Sequence, residues 1–304
     1  MHDDLSRSVL AVPPLARRPD LRLDRAANAA LIGYLERGGI STLMYGGNAN
    51  LYHVGVSDYA ELLDQLLELA RPDTWVIPSI GPDFGKMLDQ ADLLRDRPYP
   101  TAMVLPSTAP STVAGAEAGV ARVAERMGRP LIVYLRGETF LDPPAIRRLV
   151  ERGLVRAVKY GITRAEPRQD PFLRRLIDEV DRRIVVSGMG ERPAIVHWQE
   201  FGLAGFTSGS VCVAPRAAVL NTFGNIGAMV RPLETIRLPS RINAGGRQRF
   251  RRRSRALDRD KVALRLTRPC RAVRMSTAQP STTNAAMQGW PWRHTGPEID
   301  IAKV

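Results

Sequence analysis

Short apolar runs of β character alternate with helical stretches eight times over the first 222 residues, and this alternation constrains the chain more than any other feature. The runs are Ser8–Val12, Ser41–Tyr45, Trp75–Ser79, Thr101–Leu105, Leu131–Leu135, Val155–Lys159, Ile184–Ser187 and Ala204–Ser208. Strands that are apolar throughout, not at every second residue, belong to a parallel sheet covered by crossover helices. Eight strand-and-helix units in so short a span predict a closed (β/α)8 TIM barrel, not an open doubly wound sheet. Two of the helices show how the pattern works. Asp24 is placed to cap a helix over Asp24–Arg37, and Ser57 to cap one over Ser57–Ala70. In the second, Tyr59, Leu62, Leu63, Leu66, Leu67 and Ala70 recur at the spacing of one helical face.

A net charge of +13 over 304 residues invites a nucleic-acid reading until its location is examined. Residues 237–304 carry 16 Lys and Arg against four acidic residues, a net +12, which leaves 1–236 nearly neutral. The chain therefore divides into a barrel over 1–236 and a basic extension over 237–304. The extension includes Arg247-Gln248-Arg249-Phe250-Arg251-Arg252-Arg253-Ser254-Arg255 and a Ser/Thr/Asn-rich stretch, with no amphipathic period. It reads as a solvated, disordered tail. A shifted reading frame in GC-rich DNA would produce the same composition. Its arginines could contact nucleic acid or acidic surfaces only through non-specific, salt-sensitive binding.

No apolar run is long enough to cross a membrane, and the start, Met1-His2-Asp3-Asp4, is acidic where a secretory leader would be basic, so the expectation is a cytoplasmic protein. Two cysteines, Cys212 and Cys270, cannot form a disulfide framework. His2, His53, His197 and His294 lack metal-ligand spacing, which argues against a zinc-dependent class II aldolase.

In a barrel of this kind chemistry resides at the C-terminal ends of the strands. Lys159 ends the sixth run, and lysine is scarce here: Lys86, Lys159, Lys261 and Lys303 stand against 40 arginines. Only an amine condenses with a carbonyl, and an apolar barrel favours its neutral, nucleophilic form. The structural alternative is a lysine whose ammonium snorkels to the rim. Tyr134, near the end of the fifth run, is placed beside Lys159 on the adjacent strand, where a phenol can relay protons. Its alternative is an ordinary half-buried tyrosine. The turn Gly46-Gly47-Asn48 after the second run offers backbone N–H groups to a carboxylate, or is simple turn chemistry. Ser187-Gly188-Met189-Gly190 after the seventh run has the same two readings.

A glycine turn after strand two, Tyr134 on strand five, Ala157-Val158-Lys159 on strand six, Val186-Ser187-Gly188 on strand seven and Gly205-Phe206-Thr207-Ser208-Gly209 at the end, preceded by Val12-Pro13-Pro14, resemble the dihydrodipicolinate synthase and N-acetylneuraminate lyase family of class I aldolases. The resemblance spans roughly residues 8–216. It implies a lyase or synthase, acting as aldolase or dehydratase, that forms a Schiff base between Lys159 and pyruvate or a related 2-oxo acid. Tyr134 would be the proton shuttle, and Gly46, Gly47, Asn48, Gly188, Thr207 and Ser208 would line the substrate. It also implies a homotetramer or dimer and no metal or organic cofactor. Three departures stand out. Gly47 and Asn48 replace the two threonines of the family turn, so both hydroxyls are missing. Thr108 falls where the family has a tyrosine that enters from a neighbouring subunit. Thr139 falls where the synthase branch has its substrate-binding arginine, which leaves Arg136 or Glu138 to meet a different second substrate, such as a sugar acid. The reading from another class is a catalytically impaired barrel whose basic tail binds nucleic acid or acidic surfaces.

Overall fold

A computed structural model describes residues 9–107, 111–203 and 205–216. All nine strand segments are parallel and form one sheet: β1 Leu10–Ala11, β2 Thr42–Met44, β3 Trp75–Ile77, β4 Ser79–Ile80, β5 Met103–Val104, β6 Leu131–Leu135, β7 Val155–Tyr160, β8 Val185–Ser187 and β9 Gly205–Ser208. Their spatial order is β3-β2-β1-β9-β8-β7-β6-β5-β4. The two ends of that order, β3 and β4, are separated by Pro78 alone. They are therefore halves of one strand. Ile77 O accepts from Tyr45 N at 2.9 Å on the β2 side, and Pro78 O accepts from Met103 N at 2.9 Å on the β5 side. The ring of eight strands closes through this break, as the expected (β/α)8 TIM barrel. The proline has no N–H to donate, which is why the third strand is interrupted where the sequence shows one continuous run.

Seven helices lie outside the ring among the described residues: α1 Arg25–Arg37, α2 Val56–Leu69, α3 Phe84–Arg95, α4 Val113–Met127, α5 Pro143–Glu151, α6 Pro171–Glu179 and α7 Glu191–Phe201. Asp24 caps α1 by accepting from Ala27 N at 2.9 Å, as expected. The cap of α2 differs from expectation. The helix begins at Val56 with Gly55 as its cap, and Ser57 sits inside the first turn with its hydroxyl 3.4 Å from Asp58 Oδ1. Tyr59, Leu62, Leu63 and Leu66 are the buried face of α2, while Leu67 and Ala70 are partly buried. Two helices start with the same device. In Asp142-Pro143 and Asp170-Pro171 the aspartate accepts from the third helical N–H and the proline takes a first-turn position that has no N–H bond to lose.

Register fixes which side chains enter the barrel. Tyr134 pairs with Lys159, Lys159 with Val186, and Val186 with Gly205. Because strand side chains alternate, this row and residues two positions away share the interior, while Leu135, Tyr160 and Ser187 face the helices. The 236/237 boundary and the basic extension lie outside the described residues, as does Thr108. No described helix is long and apolar enough to cross a membrane.

Candidate active site

Lys159 lies one residue before the end of β7, which continues to Tyr160, and is only 6% exposed. Its Nζ stands 4.4 Å from the centroid of the Tyr134 ring on the adjacent strand. Burial, and then the nearby positive charge of Arg136, lower its pKa from 10.5 to about 8. Both effects disfavour the ammonium form. Tyr134 is held in the opposite sense: burial raises its phenol pKa, Arg136 opposes this, and Tyr52 adds to it. Tyr134 therefore keeps its proton near neutral pH, beside an amine that readily loses one.

Two glycines make room for this pair. A Cβ on Gly188, just past β8, would stand 2.9 Å from Tyr160 O and 3.0 Å from Lys159 Cγ. A Cβ on Gly161 would stand 2.8 Å from Tyr134 Cε2 and 3.2 Å from its hydroxyl. Bare backbone at both positions lets the lysine and the ring lie across the ends of the strands. Gly46 closes in from β2, where a Cβ would meet Met103 Cε at 2.7 Å.

Gly47 and Asn48 open a short 3-10 turn, Gly47–Ala49, whose Ala49 N donates back to Gly46 O. The first two N–H groups of such a turn have no acceptor within it. The Asn48 amide is turned aside, with Nδ2 donating to Val12 O at 3.1 Å. On β9 the register gives Thr207 the interior face of Lys159 and places Ser208 on the opposite face. The Ser208 hydroxyl donates to Glu191 and accepts from Val211 N at 3.1 Å, and Ser210 donates to the same Glu191 oxygen. Burial pushes the Glu191 carboxyl up, but the hydroxyls of Ser208 and Ser210 outweigh this and hold it low. Lys159, Tyr134, Gly188 and the interior Thr207 are thus brought to one face, whereas the side chains of Asn48 and Ser208 are engaged elsewhere.

Two features escape the sequence reading. Glu191, the first residue of α7, gathers two serines at the end of β9. Tyr52, whose ring edge is 3.9 Å from where a Gly47 Cβ would stand, has its phenol pKa raised by burial, with Arg136 opposing the rise. No periodicity marks either, since both lie where loops meet. Glu138, a candidate for a second substrate, is tied to Arg164 at 2.5 Å. Among the described residues no group of three or more His, Cys, Asp or Glu side chains is placed to hold a metal ion.

Solved structures share this architecture. Dihydrodipicolinate synthase from Oceanobacillus iheyensis is 18% identical with a TM-score of 0.64, covering 77% of this chain and 77% of that one. YagE, a prophage protein of the dihydrodipicolinic acid synthase family from E. coli K12 solved with pyruvate, is 18% identical with a TM-score of 0.61, covering 74% of this chain and 78% of that one. N-acetylneuraminate lyase from Mycoplasma synoviae is 14% identical with a TM-score of 0.61, covering 77% of each chain. No protein-family model matches the sequence, and no curated protein matches it. At these identities the likeness establishes the fold: the barrel is that of the dihydrodipicolinate synthases and N-acetylneuraminate lyase.

Proposed function

We propose that the chain is a Schiff-base-forming lyase or synthase acting on pyruvate or a related 2-oxo acid, with Lys159 as nucleophile and Tyr134 as acid and base. The observation that carries this reading is the buried Lys159 amine, lowered to about 8 and set against the Tyr134 ring. At pH 7 an amine of that pKa is neutral in about a tenth of molecules, against about one in three thousand for an ordinary lysine. The neutral amine adds to the ketone carbon, and the carbinolamine loses water to leave a protonated imine. That cation draws electrons from the neighbouring carbon, where a C–C bond breaks or forms, or a C–O bond breaks with loss of water. In this reading the Tyr134 phenol gives a proton to the departing oxygen and takes one back. The pyruvate bound by the structurally similar E. coli protein supports the 2-oxo acid as substrate class. The common oligomeric state of the resembled family makes a dimer or tetramer the expected assembly.

Borohydride reduction in the presence of pyruvate, followed by peptide mapping, tests the assignment. A pyruvate-sized adduct is expected on the Lys159 peptide and on no other, and it should vanish in Lys159→Arg, which keeps the charge but cannot form the imine. A folded protein that yields no adduct with any of several 2-oxo acids, or one whose adduct sits on Lys86, overturns the proposal.

A further inference from the structure

Ser187 ends β8 on the face turned to the helices, a position that a parallel strand normally fills with an apolar side chain. It is buried, and its hydroxyl lies 2.9 Å from Nδ1 of His197, which is buried on α7. The His197 ring is fixed in turn by edge-on contacts with Tyr160, at 5.8 Å between centroids, and Phe201, at 6.0 Å. Polar groups so placed are costly unless each satisfies the other. The next residue is Gly188, whose N donates to Tyr160 O at 2.5 Å. A Cβ there would stand 3.0 Å from Lys159 Cγ and 3.2 Å from its Cε. The Ser187-Gly188 peptide is therefore a wall against the stem of the candidate nucleophile, and His197 grips the residue at one end of it.

Building on the Lys159 reading above, we propose that His197 is a positioning residue for imine formation: through Ser187 it sets the Gly188 backbone against Lys159 and keeps water from the amine. The connection from β8 to α7 is only Gly188-Met189-Gly190, with Gly190 at a φ of 76°. Two glycines in three residues hold little conformation of their own. The Ser187–His197 contact ties the strand end to the helix across that loop. There is no slack at the wall, since even a methyl group on Gly188 would meet Tyr160 O at 2.9 Å. A small displacement of the peptide therefore either presses on the lysine stem or opens a path for water. Burial is the first cause of the lowered Lys159 pKa, so a wetter amine would be a more ordinary one. Burial also lowers the His197 pKa, with Asp170 opposing, so its ring is neutral in the range where Lys159 titrates.

Protein exposed to pyruvate for a fixed short time at each of a series of pH values, then quenched with borohydride, reports the rate of imine formation. Wild-type protein should reach its half-maximal rate near pH 8, where half of the amine is neutral. His197→Phe keeps an aromatic ring but not the bond, and Ser187→Ala removes only the hydroxyl. Each should slow trapping at pH 7 by about 3- to 10-fold, the worth of one hydrogen bond. Each should also move the pH midpoint upward by about half a unit as water reaches the amine. The double variant should be no slower than the slower single variant, because one contact is lost in all three. His197→Asn, which returns an amide near the Nδ1 position, should recover part of the rate. A pair that serves only the scaffold would lower the urea midpoint while leaving the pH midpoint and the rate per folded molecule unchanged. That result, or full additivity in the double variant, overturns the proposal. If His197→Phe does not fold, Ser187→Ala decides on the same two readouts. Failure of wild-type protein to trap pyruvate overturns the Lys159 reading instead, and this assignment with it.

Discussion

Lys159 and Tyr160 are consecutive on β7, yet the two faces they serve are built on opposite electrostatic terms. On the helix side, the Tyr160 hydroxyl donates to Asp170 Oδ2 at 2.6 Å, Arg164 reaches Asp170 Oδ1 at 3.0 Å, and Leu173 N donates to the same oxygen at 3.0 Å. His197 adds an edge-on ring contact to Tyr160 and a 2.9 Å bond to Ser187. Every oxygen of the buried Asp170 carboxylate has a donor. On the barrel side, Lys159 has no carboxylate partner among the described residues, and its amine faces the Tyr134 ring. Burial with satisfaction stabilises a fold, whereas burial without it costs stability and stores reactivity. One strand thus separates scaffold from site by a single residue of alternation.

The largest effect should come from breaking the satisfied face. Asp170→Ala leaves Arg164 with one remaining partner, strips Tyr160 of its acceptor and removes the cap of α6. Removing one member of a buried ion pair costs about 3–5 kcal/mol, so the urea midpoint should fall sharply, while Lys159 in the surviving folded fraction still traps pyruvate. Burial pushes the Asp170 carboxyl up, but the bonds from Arg164, Tyr160 and Leu173 N outweigh it and hold its pKa below the usual 3.8. Its contribution is therefore complete above about pH 4 and disappears as the pH falls through the lowered folded value. A loss under about 1 kcal/mol would break the comparison, because it would place Asp170 with ordinary surface pairs.

The unsatisfied face should respond in the opposite direction. Unfolded lysine holds its proton to about 10.5, whereas folded Lys159 holds it only to about 8. Between those values the unfolded chain binds more protons, so this residue makes stability rise with pH across that window and penalises the fold below it. A shift of that size corresponds to at most about 3.4 kcal/mol. Lys159→Met, similar in length and uncharged, is expected to unfold about 1–3 kcal/mol later than wild type at pH 7. Denaturation from pH 7 to 11 should show that advantage shrinking to nothing. A variant that is less stable at pH 7 would show that Lys159 is a satisfied structural cation.

The difference between the two faces also explains what the amino-acid sequence could reveal. Parallel strands buried on both faces must be apolar throughout, which is why eight runs mark the barrel. Pro78 within Trp75–Ser79 was a visible signal that one run would break. The juxtaposition of Lys159 and Tyr134 was legible because adjacent parallel strands bring their ends together. Ser57 misled because a capping residue type two positions past the true cap still resembles one, while the backbone turns at Gly55. Tyr52 was illegible. Its direction depends on two short 3-10 turns joined at Asn50, which adopts a left-handed φ of 53°, and such loops have no period to read. Asp170 reads as a helix cap, but its partners Tyr160 and Arg164 are matched to it only by the fold. The Glu191 cluster with Ser208 and Ser210 is likewise a meeting of β9 and α7 that no local pattern announces.

The smallest effect sharpens where the satisfied face ends. Arg164 joins Glu138, whose side chain is 45% exposed, to Asp170, whose side chain is fully buried. If burial sets the worth of each link, the two carboxylates on one guanidinium should differ several-fold in cost. Glu138→Gln should lower stability by about 0.2–1 kcal/mol, since water replaces an exposed partner, and that loss should shrink in high salt. Asp170→Ala should lose much less of its effect in salt. The double variant is informative because both carboxylates share Arg164. Once Asp170 is gone, Glu138 is the remaining partner of a half-buried guanidinium, so losing both should cost more than the sum of the separate losses. Simple additivity would mean that Arg164 is solvated well enough to need neither, and the boundary between scaffold and solvent would then lie at Asp170 itself.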